Sequence, residues 1–154
     1  MQAIVEDAYH VFKGPKPTDT EVCKNCCLDA KVEANFFTPD IRELPLAYLQ
    51  GWYEAAASTP QLSPALSRYL LPRVLELLAQ EEELAFVGCE VTLQRFATGD
   101  TTRWTEPENE LIASFTQLYL DAPLQNDTLD EILCMFSAAG HAAQDLTAQI
   151  WAWS

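Results

Sequence analysis

Basic residues are scarce: 9 lysines and arginines stand against 23 aspartates and glutamates in a chain of 154, a formal charge of −14. That deficit argues against an electrostatic grip on phosphate, so neither nucleic acid nor an anionic membrane surface is an expected partner. Long apolar runs are missing too. The longest uncharged stretches, such as 132–144, stop at 13 residues, short of the ~18–20 that a membrane span needs. The five glycines, at 14, 51, 88, 99 and 140, are isolated, which excludes a glycine-rich phosphate loop. His10 and His141 are far apart, and neither lies in a zinc-protease or nucleophile-elbow motif. We therefore expect no enzymatic activity; an enzyme built on scattered carboxylates is the outlying alternative. The first residues carry Glu6 and Asp7 and no basic segment leading into an apolar run, which is unlike a signal peptide. Five cysteines, an odd number, do not resemble a disulfide framework, so a reducing cytoplasm is the expected compartment.

What is present is a chain 49% hydrophobic, too apolar for disorder. Its length suits one domain, 1–154. Helical periodicity dominates. Ile4, Ala8 and Phe12 form one stripe that ends at Gly14, and a rigid Pro-rich connection leads to a second expected helix over 21–36. Thr38 and Pro39 predict a capped short turn, and Pro45 opens a helix carrying Leu49, Trp52 and Tyr53. Ser63 and Pro64 start the next helix, where Pro72 predicts a kink or break. Residues 84–96 read as helical again. Thr105 and Glu108 stand at capping-box spacing, followed by helices starting near Asn126 and Ala142. The expectation is an all-α bundle of about seven to nine helices in antiparallel hairpins.

Cys23, Cys26 and Cys27 form the most specific local feature. A C-x2-C pair has the spacing with which two thiolates hold one tetrahedral zinc, and Cys27 offers a third ligand. The fourth would have to come from His10, Asp29 or His141. Adjacent residues rarely converge on one ion, so the favoured reading is small apolar side chains with no cofactor; a structural zinc is the competing one. Cys89 and Cys134 lie in apolar patterns and are expected to be buried thiols.

Trp104 stands in a loop beside Arg103, either folded over the core edge or exposed as a docking anchor. Trp151 and Trp153 cannot share one helical face. Over 100–131 the acids Asp100, Glu106, Glu108, Glu110, Asp121, Asp127, Asp130 and Glu131 face a single base, Arg103. Such a face attracts a basic protein and speeds encounter. Plain solubility would produce the same composition.

Three segments carry a resemblance. They are Ala8-Tyr9-His10-Val11-Phe12 with the cysteine motif that follows, Ile41-Arg42-Glu43-Leu44-Pro45, and the run from Tyr69 through Leu70, Leu71, Pro72, Arg73 and Val74 to Leu78. Together they resemble a group of small, acidic, helical bacterial proteins, over about residues 8–120. That group carries no activity to transfer. Its general character is similar to the immunity partners of bacterial polymorphic toxins, by size and charge rather than by motif. The expected function is an immunity-type protein whose acids, with Trp104, occlude the basic surface of a cognate toxin; a zinc-stabilised helical adaptor is the alternative.

Overall fold

A computed structural model describes residues 1–24, 27–122 and 126–151, and the side chains of all of these except 126–128 and 149–151. The molecule is an all-α bundle. Its elements are α1 (Gln2–Val11), α2 (Ala30–Asn35), a 3-10 turn (Ile41–Glu43), α3 (Leu46–Glu54), α4 (Pro64–Ala79), α5 (Val91–Gln94), a second 3-10 turn (Thr101–Arg103), α6 (Glu106–Asp121), α7 (Asn126–Ala138) and α8 (Ala143–Trp151). Among the described residues no helix is long and apolar enough to cross a membrane.

The centre is α4. Nine of its sixteen residues are buried, including Leu66, Leu70, Leu71, Val74, Leu75 and Leu78. α1 packs on α4 and α6, α5 on α7, and α8 on both α6 and α7. Ser63 caps α4 by accepting the Leu66 N–H, with Pro64 in the first turn, as the sequence indicates. The helix runs unbroken through Pro72. Proline inside a helix costs ~3 kcal/mol, and burying apolar side chains on most faces of α4 outweighs that.

Two expected helices are much shorter than their periodicity suggests. Among the described residues of the stretch 21–36, only Ala30–Asn35 is helical. Before it, Val22 forms an antiparallel bridge with Ala57, with Cys23 N–H donating to Ala56 O (2.8 Å) and Ser58 N–H to Glu21 O (3.0 Å). Glu21 adopts φ 55°, and its carboxylate accepts both the N–H (2.9 Å) and the hydroxyl (2.7 Å) of Ser63. The non-local pairing satisfies backbone groups that a helix would have paired locally. Likewise only Val91–Gln94 of 84–96 is helical. The short turn before α3 is capped by Asp40, which accepts the Arg42 N–H, rather than by Thr38.

Arg95 fixes the end of α3. Its guanidinium donates to Trp52 O (2.9 Å), Tyr53 O (2.8 Å) and Ala55 O (2.8 Å), and lies 4.7 Å from the Trp52 ring centre. A cation there satisfies terminal carbonyls and the negative helix pole together. Trp52, fully buried, donates its indole N–H to Thr20 O (2.8 Å), and the Tyr53 hydroxyl donates to Thr92 O (2.7 Å).

Candidate functional site

The sequence nominated Trp104 as a docking anchor, and the structure overturns this. Trp104 is 6% exposed and packs edge-on against Phe12 at 5.6 Å. It is the tryptophan folded over the core edge. Glu108 is overturned as a docking acid for a related reason. It is buried and takes Arg68 in a bidentate pair, Nε–Oε1 2.5 Å and Nη2–Oε2 2.9 Å, while its Oε2 accepts the Thr105 N–H (2.8 Å). Burial opposes its charge, but the guanidinium and the backbone N–H outweigh that and hold the carboxyl below its usual range.

The remaining candidates divide. Asp100 is exposed, and its Oδ1 accepts the Thr102 N–H (3.1 Å) and hydroxyl (2.6 Å), which lowers its pKa. Glu106 and Glu110 are exposed near the start of α6, and Asp121 lies at its far end, fifteen residues or about 22 Å from Glu106. Asp130 and Glu131 are exposed on α7. The Asp127 side chain lies outside the described residues. So the acids do not make one patch.

The apolar centre lies elsewhere, in a loop that helical periodicity had absorbed. Phe86 is 54% exposed and Val87 66%, on the turn closed by Gly88 N–H donating to Ala85 O (3.3 Å). The turn is firmly seated. α4 ends in a Schellman arrangement, with Glu81 at φ 61°, Glu82 N–H donating to Leu77 O (3.0 Å) and Glu81 N–H to Leu78 O (2.9 Å). Leu84 and Ala85 are buried, and Gln50 Nε2 donates to Glu83 O (2.7 Å). On the far side the Cys89 thiol donates to Glu131 O (3.4 Å), tying the loop to α7. The Glu90 carboxylate folds back over Gly88, where a Cβ would meet Oε2 at 2.4 Å. Phe86 and Val87 thus project from a pinned turn bordered by Glu81, Glu82, Glu83, Glu90 and Glu131. The sequence signal was available: a run of three glutamates, Glu81–Glu83, followed within five residues by Phe-Val-Gly; Gly88 adopts φ 142° in the structure.

Of the thiols expected to be buried, Cys134 is exposed and Cys89 half-buried. Cys89 lies outside any helix, beside the Glu131 and Glu90 charges; burial first, then those carboxylates, push its pKa up. At the proposed zinc motif, Cys26 lies outside the described residues, Cys23 is half-buried and Cys27 exposed. Among the described residues no three His, Cys, Asp or Glu side chains gather as a metal cluster. Two of the suggested fourth ligands are engaged elsewhere: Asp29 caps α2, and His141 bonds Thr98. Trp153 and the Trp151 side chain lie outside the described residues.

No family model matches the chain, and neither curated proteins nor solved structures give a match.

Among the described residues, Thr98 Oγ1 and His141 Nε2 stand 2.9 Å apart in the manner of a nucleophile and base, lining a groove of about 370 Å³ that also includes Asp145. Thr98 is only 3% exposed. The neighbouring N–H groups of Gly99, Asp100, Gly140 and His141 all donate to backbone carbonyls. The contact holds a chain crossing. Burial lowers the His141 pKa below its usual 6.5, so the unfolded chain binds the proton more readily than the folded one. The stability that this supplies is complete above about pH 6.5 and declines as pH falls toward the depressed folded value. Urea midpoints between about pH 7.5 and 5.5 should therefore fall on acidification, and His141→Asn should flatten the slope. Equal slopes in the two proteins would refute the assignment.

Proposed function

We propose that the protein works by binding, as an immunity-type inhibitor that covers the basic active-site surface of a cognate toxin. The reading rests above all on the pinned, exposed Phe86–Val87 turn bordered by carboxylates. An apolar anchor surrounded by charge is the usual composition of an interface hot spot with a steering rim. An enzyme that acts on nucleic acid carries a cationic cleft, and this face is its electrostatic complement.

The disposition of the cations supports the same reading. Arg68 and Arg73 are spent on Glu108 and Glu76 inside the bundle, and Arg95 and Arg103 turn toward backbone carbonyls. Among the described residues Lys24 and Arg42 form the only other ion pairs, with Asp19 and Glu6. Glu81, Glu82, Glu83, Glu90 and Glu131 are therefore not offset by a salt bridge.

The test is to search the neighbouring genes for a toxin domain, co-express it with this chain, and measure the purified complex by surface plasmon resonance. Phe86→Ala should raise the dissociation rate about 30-fold, the effect of a hot-spot truncation of ~2 kcal/mol. Combined Glu82→Lys, Glu90→Lys and Glu131→Lys should slow association about tenfold or more and flatten its salt dependence. Glu106→Lys with Glu110→Lys, near the start of α6, should do less. Binding indifferent to salt and to all of these changes would remove the mechanism.

A further inference from the structure

A second surface has the opposite polarity. Between the first turns of α4 and the segment leading into α6 lies a groove of about 330 Å³, lined by Leu62, Pro64, Ser67, Arg68, Arg103 and Trp104 among others. Two of the chain's nine basic residues meet here, in a protein of charge −14. Its volume is at the low end for small-molecule sites.

The hydrogen-bonding groups of this groove are unbalanced. Arg103 donates Nη2–H to Leu62 O (2.9 Å), its one side-chain hydrogen bond among the described residues, which leaves most of its five N–H groups uncommitted. The Asp100 carboxylate feels the guanidinium but forms no salt bridge with it, and its Oδ1 is occupied by Thr102. Arg68 commits Nε and Nη2 to Glu108, and Nη1 remains. Ser67 is 2% exposed, and its hydroxyl is one of two buried side-chain polar groups without a partner among the described residues. Leaving such a group unmatched costs about 1–3 kcal/mol. Unmatched donors of Arg103 and Ser67 therefore meet in this groove of an acidic molecule. With Glu108 set against Arg68, Arg103 is the groove's one guanidinium without a salt bridge among the described residues, beside the apolar surfaces of Leu62, Pro64 and Trp104.

We propose that this groove binds a small monocarboxylate with an apolar body. A carboxylate supplies the acceptors that Arg103 and Ser67 lack, and its planar pair of oxygens fits the guanidinium fork. A single guanidinium without a salt bridge favours a monoanion over phosphate, and the proline, leucine and indole surfaces take the hydrocarbon. The site is separate from the Phe86–Val87 turn, so it does not depend on the inhibitory reading.

The probes are benzoate, its neutral isostere benzamide, and inorganic phosphate, followed by ¹H–¹⁵N NMR at Arg103 Nε and Trp104 Nε1 of the intact protein. Benzoate should shift both signals saturably in the millimolar range, with benzamide at least about tenfold weaker and phosphate weaker than benzoate. Arg103→Lys keeps the charge but loses the fork and should weaken benzoate; Ser67→Ala should weaken it while leaving Tm unchanged or raised. If the lysine variant does not fold, the alanine variant and the benzamide comparison still decide. Absence of a saturable shift, equal binding of benzamide, or phosphate binding as tightly as benzoate would each overturn the proposal.

Discussion

Gly99→Ala should leave little folded protein. A Cβ at this position would stand 2.2 Å from both Gly140 C and His141 N and 2.5 Å from Gly140 O, all backbone atoms that cannot swing aside as a side chain can. The segment 97–100 would have to separate from 139–141, losing Gly99 N–H to Ala139 O (2.9 Å) and the Thr98–His141 contact (2.9 Å). That crossing joins the approach to α6 to the connection between α7 and α8, so the damage spreads across the bundle. A loss above about 4–5 kcal/mol is expected, a large part of the ~5–15 kcal/mol available to a domain. Gly14, with nothing within 4 Å of a Cβ, is the control, and Gly14→Ala should be nearly silent. Circular dichroism and soluble yield will decide. A Gly99→Ala protein melting within a few degrees of wild type, about what 1 kcal/mol produces, would show that the crossing yields readily.

The second large effect is expected at Arg68 and Glu108. Glu108→Ala removes three things together: the carboxylate beside a guanidinium whose side chain is only 19% exposed, the acceptor for the Thr105 N–H at the start of α6, and a side chain packed in the interior. Stranding one partner of a buried pair costs about 3–5 kcal/mol, which lowers Tm by roughly 10 °C in a domain of this size. Glu108→Gln should cost less, because an amide oxygen can still accept the Thr105 N–H. Replacing both residues by apolar ones, Arg68→Met with Glu108→Leu, should recover much of the loss, since the pair's desolvation offsets most of its attraction. A double variant no more stable than Glu108→Ala alone would show that the capping bond and packing, not the stranded charge, set the cost. The pair also sets acid sensitivity. Glu108 has a lowered folded pKa, so its contribution is present above the ordinary carboxylate value and disappears as pH falls through the folded one.

These two sites illustrate what kind of information the sequence carried. Thr105 and Glu108 were recognisable as a helix start because the capping bond joins residues three apart. That the same carboxylate binds Arg68, forty residues earlier, and is thereby withdrawn from the surface depends on α4 lying against the start of α6. Gly99 was not legible as a backbone crossing, because Gly140 is distant in the chain. The loop 81–90 failed differently. Leu84, Val87 and Val91 have helical spacing, but Glu81 turns the chain into the left-handed region and Gln50 and Glu131 hold it there, so the periodic positions never share a helix.

The sequence by itself settled the all-α class, the start of α4 at Ser63, the Thr105–Glu108 signal, and the excess of negative charge, because each is a property of composition or of neighbours within one helical turn. Only the tertiary structure decided that Trp104 is interior and Phe86 exterior, that α4 is not broken at Pro72, and that two arginines share a groove with an unmatched serine hydroxyl. Exposure and pairing are set by what packs against a residue from far along the chain. That partner is fixed by how apolar stripes bury one another across the whole bundle, a choice that no local pattern contains.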